Sequence, residues 1–450
     1  MKSGEFKYLG TKRVQLVTLG CSKNRVDSEH VLKQLENVGI KVAPESEDLA
    51  LGKIDTVILN TCGFIKDAKV ESIDAIMDAV YAKQKGYIKR ILVFGCLSQR
   101  YREELISEIP EVDAFLGAVD QDEIVRALAI EPDKALKNRR YLTTPKHYAY
   151  LKISEGCDRV CSYCAIPKIR GHHRSVPIED LVSEAESLAK AGVKELLVIA
   201  QDITYYGLDL YHRRALGDLL KELCKVEGIE WIRLHYSYPA SFPEDVLDIM
   251  RDEPKLCKYM DIPLQHISDK VLAAMRRNVT TRETKELVRK FRERVPGIVL
   301  RTTMIVGFPG EDNREFEKLL KFVKEAKFER LGAFTYSEEE GTYGAQAFKD
   351  SVRESTKQKR YDRLMELQSE ISYEYNESRI GTMERVIIDS YSDGVFAARS
   401  RFESPDVDGE ILIGIETYKG NLSAPENLVG TFADVEIVGA NEYDLIAKFK

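Results

Sequence analysis

Three cysteines lie close together in the segment SEGCDRVCSYCAIPKIRG, directly after the strand-like stretch YAYLKI. Cys157, Cys161 and Cys164, the loop triad, have the spacing C-x3-C-x2-C. Three thiolates on one short loop can hold three corners of a cubane iron–sulfur cluster. Because no fourth cysteine lies nearby, one iron would stay open to a substrate or cofactor. The spacing therefore predicts an iron–sulfur centre with one exchangeable position.

A structural zinc site is the alternative interpretation of this loop. Zinc in such a site needs four ligands, often two C-x2-C pairs, so His172 or His173 would have to supply the fourth. The C-x3-C spacing fits a zinc loop poorly, and the cluster is favoured.

Three further cysteines are far apart in the sequence but share one local context. Cys21, Cys62 and Cys96, the strand-end triad, each directly follow a predicted strand, in VTLGC, ILNTC and VFGC. In a doubly wound sheet the carboxyl ends of the strands share one edge, so these thiols can converge. A glycine adjoins each cysteine and would let the backbone approach a cluster closely. One such cysteine alone is more often buried in a core, but three at equivalent strand ends favour a second metal centre.

The elements that must position the strand-end triad alternate between strands and helices. The strand candidates are VQLVTL, DTVILN and RILVFG, and the helical candidates are SEHVLKQLENVG, DAKVESIDAIMDAVYAKQ and SQRYREELISEI. Short, apolar, β-branched strands separated by helices are typical of a parallel sheet covered on both faces. We therefore predict a doubly wound α/β domain over residues 1–140.

A second α/β series begins at YAYLKIS and contains the loop triad. Its strand candidates are KELLVIAQD, WIRLHYS, YMDIPLQ, IVLRTTMIVG and RLGAFTYS, and amphipathic helices separate them. About six βα units are too few for a closed eight-fold barrel. The pattern predicts an open, partial barrel over residues 141–378, closed by the long polar helix SVRESTKQKRYDRLMELQSEISYEYNES.

The last segment changes to a period of two residues. Five short strands are predicted in ERVIIDSY, GVFAARS, EILIGIE, TFADVEIVGA and DLIAKF, with turn signals SDG, DVDG and KGN between them. This spacing is typical of a small β-barrel of the oligonucleotide-binding type, which we place at residues 379–450.

Composition excludes several protein classes. The chain has 450 residues, of which 44% are hydrophobic and 31% charged, as in ordinary globular proteins. No stretch of 18 apolar residues and no secretory signal occurs, so we expect a cytosolic protein without a membrane span. Eight cysteines in a cytosolic chain argue for reduced thiols rather than disulfides. Cys224, in a helical segment, and Cys257, in a predicted loop, are interpreted as core or incidental residues.

Charge is distributed unevenly along the chain. Residues 381–450 hold 13 Asp and Glu against 6 Lys and Arg, which equals the net charge of −7 of the whole chain. An acidic segment repels phosphate and attracts basic partners. The terminal barrel is therefore expected to bind a basic protein rather than a nucleic acid, although a solvated acidic surface is the plainer alternative.

The loop triad, with Tyr163 before its last cysteine, resembles the radical S-adenosylmethionine (SAM) family. This resemblance implies a [4Fe–4S] cluster whose open iron chelates the amino and carboxylate groups of SAM. It also implies one-electron cleavage of SAM to methionine and a 5′-deoxyadenosyl radical. The partial barrel is likewise that family's architecture, with its site at the carboxyl ends of the strands.

The order of the three predicted domains resembles the methylthiotransferases over nearly the whole chain. The resemblance implies that the strand-end triad carries a second [4Fe–4S] cluster, which binds the sulfur species to be inserted. It also implies that the terminal barrel is a TRAM domain, which recognises the macromolecular substrate.

Two branches of that family are candidates. One methylthiolates an adenosine in tRNA, and the other the β-carbon of an aspartate in small-subunit ribosomal protein twelve. The strings TLGCSKNRVDSE, NTCGFI, QDITYYGLD, RLHYSYP, MDIPLQH and RTTMIVGFPGE resemble the ribosomal-protein branch. The tRNA branch has Gln–Asn where this chain has Gln201–Asp202. The tRNA enzyme stays the alternative, and a non-catalytic iron–sulfur or zinc scaffold is a third.

Six residues near the ends of predicted strands or in the cluster loop are the candidates for contact with SAM, although ordinary loop hydrogen bonding would also explain them. They are Tyr163, Gln201, Asp202, Gln265, Arg301 and Gly307. Ser22, Val176 and the stretch ARSRFESPDVDG depart from the family pattern and leave the details of substrate docking open. Also open are the sulfur source, the electron donor, the oligomeric state, and whether the target is free protein or the assembled ribosome.

Overall fold

A computed structural model describes residues 11–420 and 424–450 of the chain. The first ten residues of the predicted N-terminal domain, and Asn421 of the predicted KGN turn, lie outside these ranges. The described chain divides into two compact units. The first contains the residues up to Thr143 with 150–159 and 164–188, and the second contains 144–149, 160–163 and 189–450.

The first unit begins with a five-stranded parallel sheet in the order β2-β1-β3-β4-β5. Its elements are β1 (Arg13–Thr18), α1 (Ser22–Asn37), β2 (Lys41–Ala43), β3 (Thr56–Thr61), α2 (Lys66–Gln84), β4 (Arg90–Gly95), α3 (Cys96–Arg100), α4 (Arg102–Glu108), β5 (Ala114–Phe115) and α5 (Gln121–Ala127). This strand order reverses between β1 and β3, as in other doubly wound folds. The predicted doubly wound domain is confirmed.

Burial on both faces of this sheet explains the apolar strands. In β3, Val57 and Leu59 belong to one apolar cluster, whereas Ile58 between them belongs to the cluster on the opposite face. β4 divides in the same way, with Val93 on the first face and Phe94 on the second. Successive side chains of a strand point to opposite faces, so a strand covered on both sides is apolar without alternation.

The first unit also contains the segment that holds two of the loop cysteines. It runs from the end of β6 (Tyr148–Lys152) through β7 (Ser154–Glu155), α6 (Ile166–Arg170) and β8 (Arg174–Ser175) into α7 (Ile178–Lys190). β7 and β8 pair antiparallel, Ser154 with Ser175 and Glu155 with Arg174. A Cβ on Gly156 would lie 2.1 Å from the carbonyl oxygen of His172, so only glycine fits at this approach.

The second unit carries a six-stranded sheet in the order β13-β12-β11-β10-β9-β6, with β6 entering it at Tyr148. Its further elements are β9 (Glu195–Ile199), α8 (Leu216–Cys224), β10 (Trp231–Leu234), α9 (Asp245–Asp252), β11 (Leu256–Asp261), α10 (Asp269–Ala274), α11 (Thr281–Arg294), β12 (Val299–Val306), α12 (Asn313–Ala326), β13 (Arg330–Thr335), α13 (Tyr343–Ala347) and α14 (Glu354–Glu377). Six strands leave the sheet open, which confirms the predicted partial barrel and its long closing helix.

One cysteine was placed wrongly by the sequence. Cys257 was expected in a loop, but it is the second residue of β11 and is fully buried. It packs with Trp231, Tyr259 and Val299 in an apolar cluster. The lysines at 255 and 258 make this stretch look like a loop, but both are only partly buried, whereas the other five residues of β11 are buried.

The C-terminal segment forms a closed five-stranded barrel in the order β14-β15-β16-β18-β17, as predicted. Its strands are β14 (Met383–Ser392), β15 (Val395–Ser400), β16 (Ile411–Gly414), β17 (Phe432–Ala440) and β18 (Leu445–Phe449). Alternate residues such as Val386 and Ile388 are fully buried in its core. Within the described ranges, no helix is both long and apolar enough to cross a membrane.

Buried ion pairs join this barrel to the open sheet inside the second unit. Glu195 of β9 accepts from Arg233 and from Arg399, at 2.8 Å each. Burial opposes ionisation of Glu195, but the two arginines lower the pKa of its carboxyl below the ordinary value. Moving the barrel away from the sheet would leave a buried charge without its partner, which is unfavourable. The ion pairs therefore hold the barrel and the sheet in one arrangement.

Candidate metal centres

The strand-end triad lies at the carboxyl edge of the first sheet. Cys21 precedes α1, three residues after β1 ends, Cys62 directly follows β3, and Cys96 directly follows β4. These three strands are neighbours, and Thr61 pairs with Gly95, so β3 and β4 end level with each other. The pKa of the Cys62 thiol is raised to about 11, first by burial and also by the nearby thiols of Cys96 and Cys21. The fold therefore brings the three predicted cysteines together.

Glycines allow this close approach. A Cβ on Gly20, which has φ +90°, would lie 2.7 Å from Cβ and 3.0 Å from Sγ of Cys62. A Cβ on Gly63 would lie 2.7 Å from the backbone nitrogen of Leu97, in the helix that Cys96 begins. Any larger residue would push the cysteine-bearing loops apart. Cys62 and Cys96 are buried and Cys21 is exposed, so the triad opens to solvent at Cys21.

Asparagine side chains hold the backbone around the triad. Asn24 donates through Nδ2 to the carbonyl of Leu19 at 2.9 Å and to that of Thr61 at 3.3 Å. Asn60 donates to the carbonyl of Asn24 at 2.7 Å and to Ser28 Oγ at 2.9 Å. The loop before Cys21 and the loop before Cys62 are thus tied to the first turns of α1.

Arg170 is a functional candidate that the sequence did not single out. It is 2% exposed, and its Nε donates to Cys96 Sγ at 3.3 Å. Its Nη2 donates to Asn24 Oδ1 at 2.5 Å, and its Nη1 to Asp27 Oδ2 at 2.8 Å. The only signal was its place six residues after Cys164, in the motif segment itself.

Two cysteines of the loop triad, Cys157 and Cys164, belong to the first unit, and residues that follow Cys164 contact the strand-end triad there. Cys96 packs with Ala165 and Ile169 in a small buried cluster, and Ala165 directly follows Cys164. Cys157 donates its backbone N–H to the carbonyl of Gly171 at 3.0 Å, which closes the base of the loop. The residue after the last loop cysteine therefore contacts one cysteine of the strand-end triad.

Cys161 belongs to the second unit and has its own polar neighbours there. Arg277 Nη1 lies 3.6 Å from Cys161 Sγ and 3.4 Å from the Tyr163 hydroxyl. The Tyr238 hydroxyl is 3.9 Å from the same sulfur, and the Arg277 guanidinium stacks 4.1 Å from the Tyr238 ring centroid. Arg277 is 4% exposed and was also missed, because it comes from a loop more than a hundred residues away.

Three of the SAM candidates lie beyond the carboxyl ends of β9 and β11. Asp202 accepts from the backbone N–H of Thr204 at 2.9 Å and caps the short helix 203–205, one residue after Gln201. Gln265 has φ +72° and bonds to β12 through its backbone. Its Oε1 is buried and has no hydrogen-bond partner among residues 11–420 and 424–450, which is the state expected of an acceptor that binds a ligand.

Of the remaining three candidates, Tyr163 lies beside Arg277 as described above, and Arg301 and Gly307 have contacts within the fold. Arg301 Nη1 donates to Asp261 Oδ1 at 2.9 Å, and its Nε lies 3.5 Å from Asp408 Oδ1. Gly307 has φ +78°, and a Cβ there would lie 2.4 Å from Cγ of Lys357. Both residues are needed by the fold, and their contact with SAM stays a prediction.

Within the part of the chain that is described, no three or more His, Cys, Asp or Glu side chains surround one point as ligands of a single metal ion do. A zinc site requires that arrangement, with ligand distances of about 2.0–2.3 Å. A cubane instead places each thiolate on a different iron, so its three cysteines stand further apart.

Comparison with known proteins identifies three sequence families in the chain. Residues 151–323 match the radical SAM superfamily, residues 13–117 match the uncharacterized protein family UPF0004, and residues 380–449 match the TRAM domain. The ribosomal protein uS12 methylthiotransferase RimO of Bacteroides thetaiotaomicron is 49% identical over 437 residues, which cover 97% of this chain and 98% of that protein. The proteins of the same name from Porphyromonas gingivalis and Flavobacterium johnsoniae are 50% and 49% identical, over 97% and 98% of this chain and 98% of each protein.

Solved structures share the fold at low sequence identity. The radical SAM methyltransferase TsrM from Kitasatospora setae, with cobalamin and a [4Fe–4S] cluster bound, has a TM-score of 0.58 and is 15% identical. The match covers 75% of this chain and 74% of that one. The cobalamin-dependent SAM radical enzyme OxsB has a TM-score of 0.53 and 13% identity, over 80% of this chain and 56% of that one.

Proposed function

The chain belongs to the ribosomal protein uS12 methylthiotransferases of the radical SAM superfamily, and from this premise we propose that it methylthiolates the β-carbon of an aspartate in uS12, the small-subunit ribosomal protein twelve. The observation that supports this proposal most strongly is sequence identity: about half of the residues are identical to those of uS12 methylthiotransferases along 97% of the chain. The enzyme uses two [4Fe–4S] clusters and SAM as cofactors.

We assign one cluster to each cysteine triad. The loop triad would hold the cluster that binds SAM, and the strand-end triad would hold the cluster that binds the sulfur to be transferred. When bound, these groups supply a 5′-deoxyadenosyl radical, which removes hydrogen from the aspartate β-carbon, and the methylthio group that replaces it. Gly20 supports the second assignment, because the absence of a side chain there lets the loop that carries Cys21 approach the sulfur of Cys62 closely.

The protein's own part in this chemistry is to hold, orient and shield. Arg277 and Tyr238 pack beside Cys161, and the Arg277 guanidinium presents a hydrogen-bond donor to its sulfur. The Tyr238 hydroxyl donates to the carbonyl of Arg277 at 2.7 Å and so helps to hold that residue in place. The orphaned Oε1 of Gln265 supports a SAM site at the carboxyl edge of the open sheet, because a buried acceptor needs a donor such as an amino group. We place Tyr163, Gln201, Asp202, Arg301 and Gly307 around the same ligand.

Recognition of uS12 is assigned to the C-terminal barrel. Ribosomal proteins are basic, and complementary charge speeds and orients association. Some acidic residues of this segment are used inside the protein, such as Glu403, which pairs with Arg330 at 3.0 Å. Seven others are exposed: Asp393, Asp406, Glu410, Glu416, Glu426, Asp434 and Glu442. These seven support an acidic docking surface for a basic partner.

The remaining expectations are proposals of the same kind. We propose domain boundaries at residues 140/141 and 378/379, and a cytosolic location, where ribosomal proteins are made and assembled. The electron donor and the sulfur source are required by the chemistry.

Mass spectrometry of uS12 from cells that lack this gene tests the proposal. We expect the methylthio-aspartate to disappear and to return when the wild-type gene is supplied. A gene with all three strand-end cysteines changed to alanine should not restore it. An unchanged modification in the deletion strain would end the proposal, and loss of methylthio-adenosine from hydrolysed tRNA would favour the tRNA alternative.

Anaerobic reconstitution separates the enzyme from a scaffold. The catalytic protein should bind about eight irons, two cubanes of four, and release 5′-deoxyadenosine on reduction with SAM. Zinc without iron would favour the scaffold.

A further inference from the structure

One arginine is buried directly against the strand-end triad. Arg170 is 2% exposed, and its Nε lies 3.3 Å from Sγ of Cys96, which is itself 6% exposed. Hydrogen bonds to sulfur are weak in water because water competes for the donor. In a buried setting water does not compete and the local dielectric constant is low, so the same hydrogen bond to sulfur is stronger.

The rest of the guanidinium is fixed by other partners. Nη1 donates to Asp27 Oδ2 at 2.8 Å and to the carbonyl of Ala118 at 3.1 Å, and Nη2 donates to Asn24 at 2.5 Å. Asp27 is 1% exposed and also pairs with Lys152. Because a guanidinium is planar, these bonds determine the direction in which Nε–H points.

The same side chain reaches the strand before the loop triad. Nη1 lies 3.2 Å from Glu155 Oε2, and Glu155 is two residues before Cys157. Arg170 itself ends α6, the helix that begins two residues after Cys164. One arginine from the loop-triad segment therefore donates to a cysteine of the strand-end triad.

The two acids and two bases of this group, Asp27, Glu155, Lys152 and Arg170, form a charge-balanced set. The full charge of Arg170 is therefore offset locally. Since the net charge of this group is zero, Arg170 acts on the sulfur of Cys96 mainly through its hydrogen bond. Hydrogen bonds to cluster sulfurs are one determinant of cluster reduction potentials.

We propose that Arg170 is a positioning residue of the strand-end centre, whose hydrogen bond holds Cys96 in place and raises the reduction potential of the cluster bound there. The inference rests on the proposed function, because it needs a cluster on Cys21, Cys62 and Cys96. A donor to a ligand sulfur stabilises the more negative, reduced cluster, so its loss makes reduction harder.

The test uses the full chain with the three loop cysteines changed to alanine, so that one cluster gives the signal. Arg170→Met, Arg170→Lys and the double variant Arg170→Met/Asp27→Asn are compared in this background, because methionine has a side chain of similar length without a donor. The double variant removes both members of a buried ion pair, which avoids leaving Asp27 without its partner. Iron content, the electron paramagnetic resonance spectrum and the reduction potential are measured.

We expect about four irons per chain, a more negative potential in both methionine variants, and an altered spectrum. The lysine variant should lie between these and the parent, because lysine donates but lacks the planar fork. Arg140→Met is the matched control. Arg140 is a buried arginine of the same unit that contacts Glu29 and Glu184, and its loss should leave the potential unchanged.

The outcomes separate the two claims. If the parent with alanines in the loop triad binds no iron, the assignment of a cluster to the strand-end triad is wrong. If it binds four irons but the potential is the same in all Arg170 variants, the inference about Arg170 alone is overturned. An equal shift in Arg140→Met would also overturn it, because any buried arginine would then have the effect.

Discussion

At the residue scale, two arginines supply donors to sulfur atoms that are buried, as in Cys96, or half-buried, as in Cys161. A thiolate removed from water loses its hydration, which burial alone makes unfavourable. Arg170 donates to Cys96, and Arg277 lies 3.6 Å from Cys161, each with a guanidinium fixed by further bonds. In both cases one cysteine of a triad is held by a side chain from a distant part of the sequence.

Gly20→Ala tests whether the strand-end triad needs the close approach of Gly20 to Cys62. The new Cβ would lie 2.7 Å from Cβ of Cys62, so we expect loss of most of the iron held by this triad. Gly39→Ala is the control, because Gly39 also has positive φ, +82°, but nothing lies within 4 Å of its Cβ position. Iron analysis after reconstitution measures the difference, and equal iron loss in both variants would contradict the steric argument.

His235 predicts a pH dependence of stability. Burial lowers the pKa of His235 to about 3, although Asp261 nearby opposes this shift. In the unfolded chain His235 binds a proton as the pH falls through about 6.5, whereas in the folded chain it stays neutral at this pH. The stability contributed by neutral His235 is therefore present above pH 6.5 and is lost as the pH falls from 6.5 towards 3.

His235→Gln should remove this pH dependence. When the pH falls from 7 to 5, the free energy of unfolding of the variant should decrease by about 2 kcal/mol less than that of the wild type. One group contributes about 1.4 kcal/mol per pH unit. Anaerobic urea unfolding of the holoenzyme at both pH values measures it. Substituting the exposed His212 in the same way is the control. The same loss in wild type and His235→Gln would contradict the assignment.

At the scale of elements, strand ends meet helices at close contacts. Gly307 follows β12, and Lys357 of α14 passes directly over it. Lys357 is 2% exposed and donates to the carbonyl of Tyr336 at 2.8 Å and to Asp350 at 2.6 Å. Lys357 thus fixes the long closing helix to the carboxyl edge of the sheet. Its aliphatic chain packs directly against the backbone of Gly307, where a side chain would not fit.

Gly307→Ala should loosen this contact. A Cβ 2.4 Å from Lys357 Cγ, at a φ of +78°, is expected to cost about 1–3 kcal/mol of unfolding free energy. In a Lys357→Ala background the penalty should be smaller, because the 2.4 Å contact with Cγ is removed, and what remains is the backbone strain and a 3.1 Å contact with the Cβ of residue 357. Urea unfolding of the four proteins in the cycle gives the coupling. Independent, additive effects would show that Lys357 is not what excludes a side chain at Gly307.

At the scale of the whole molecule, charge is concentrated where the substrate is proposed to bind. The excess of acids over bases in residues 381–450 equals the net charge of the chain. Inside the second unit, Glu403 pairs with Arg330 and Arg379, which hold the pKa of its carboxyl at about 2 against the effect of burial. Such acids stabilise the fold, and the exposed acids remain for partners.

Replacing Glu410, Glu416 and Glu426 by glutamine should weaken binding of uS12 several-fold and reduce its dependence on salt. The matched control replaces the exposed Glu103, Glu104 and Glu108 of α4, which changes the net charge equally. Binding of purified uS12 at two ionic strengths measures both effects. Equal weakening by the two triple variants would indicate a net-charge effect without a docking surface on the barrel.

The sequence alone determined the parts that depend on local spacing. The C-x3-C-x2-C loop is readable because its three ligands are neighbours in the chain. The meeting of Cys21, Cys62 and Cys96 was predictable by one further step, since a cysteine after each parallel strand must lie on the same sheet edge. The three-part fold followed from the change of hydrophobic period along the chain.

Only the tertiary structure decided which distant side chains face those sulfurs. Arg170 lies 74 residues from Cys96, and Arg277 lies 116 residues from Cys161. Arg277 has no local signal, and the place of Arg170 in the loop-triad segment does not show that it contacts Cys96, because a buried arginine and an exposed one have the same residue type. The structure likewise placed Cys257 in a buried strand and divided the acids of the C-terminal barrel between internal pairs and the surface. Such contacts depend on how separate elements pack, and packing is set by the whole chain at once.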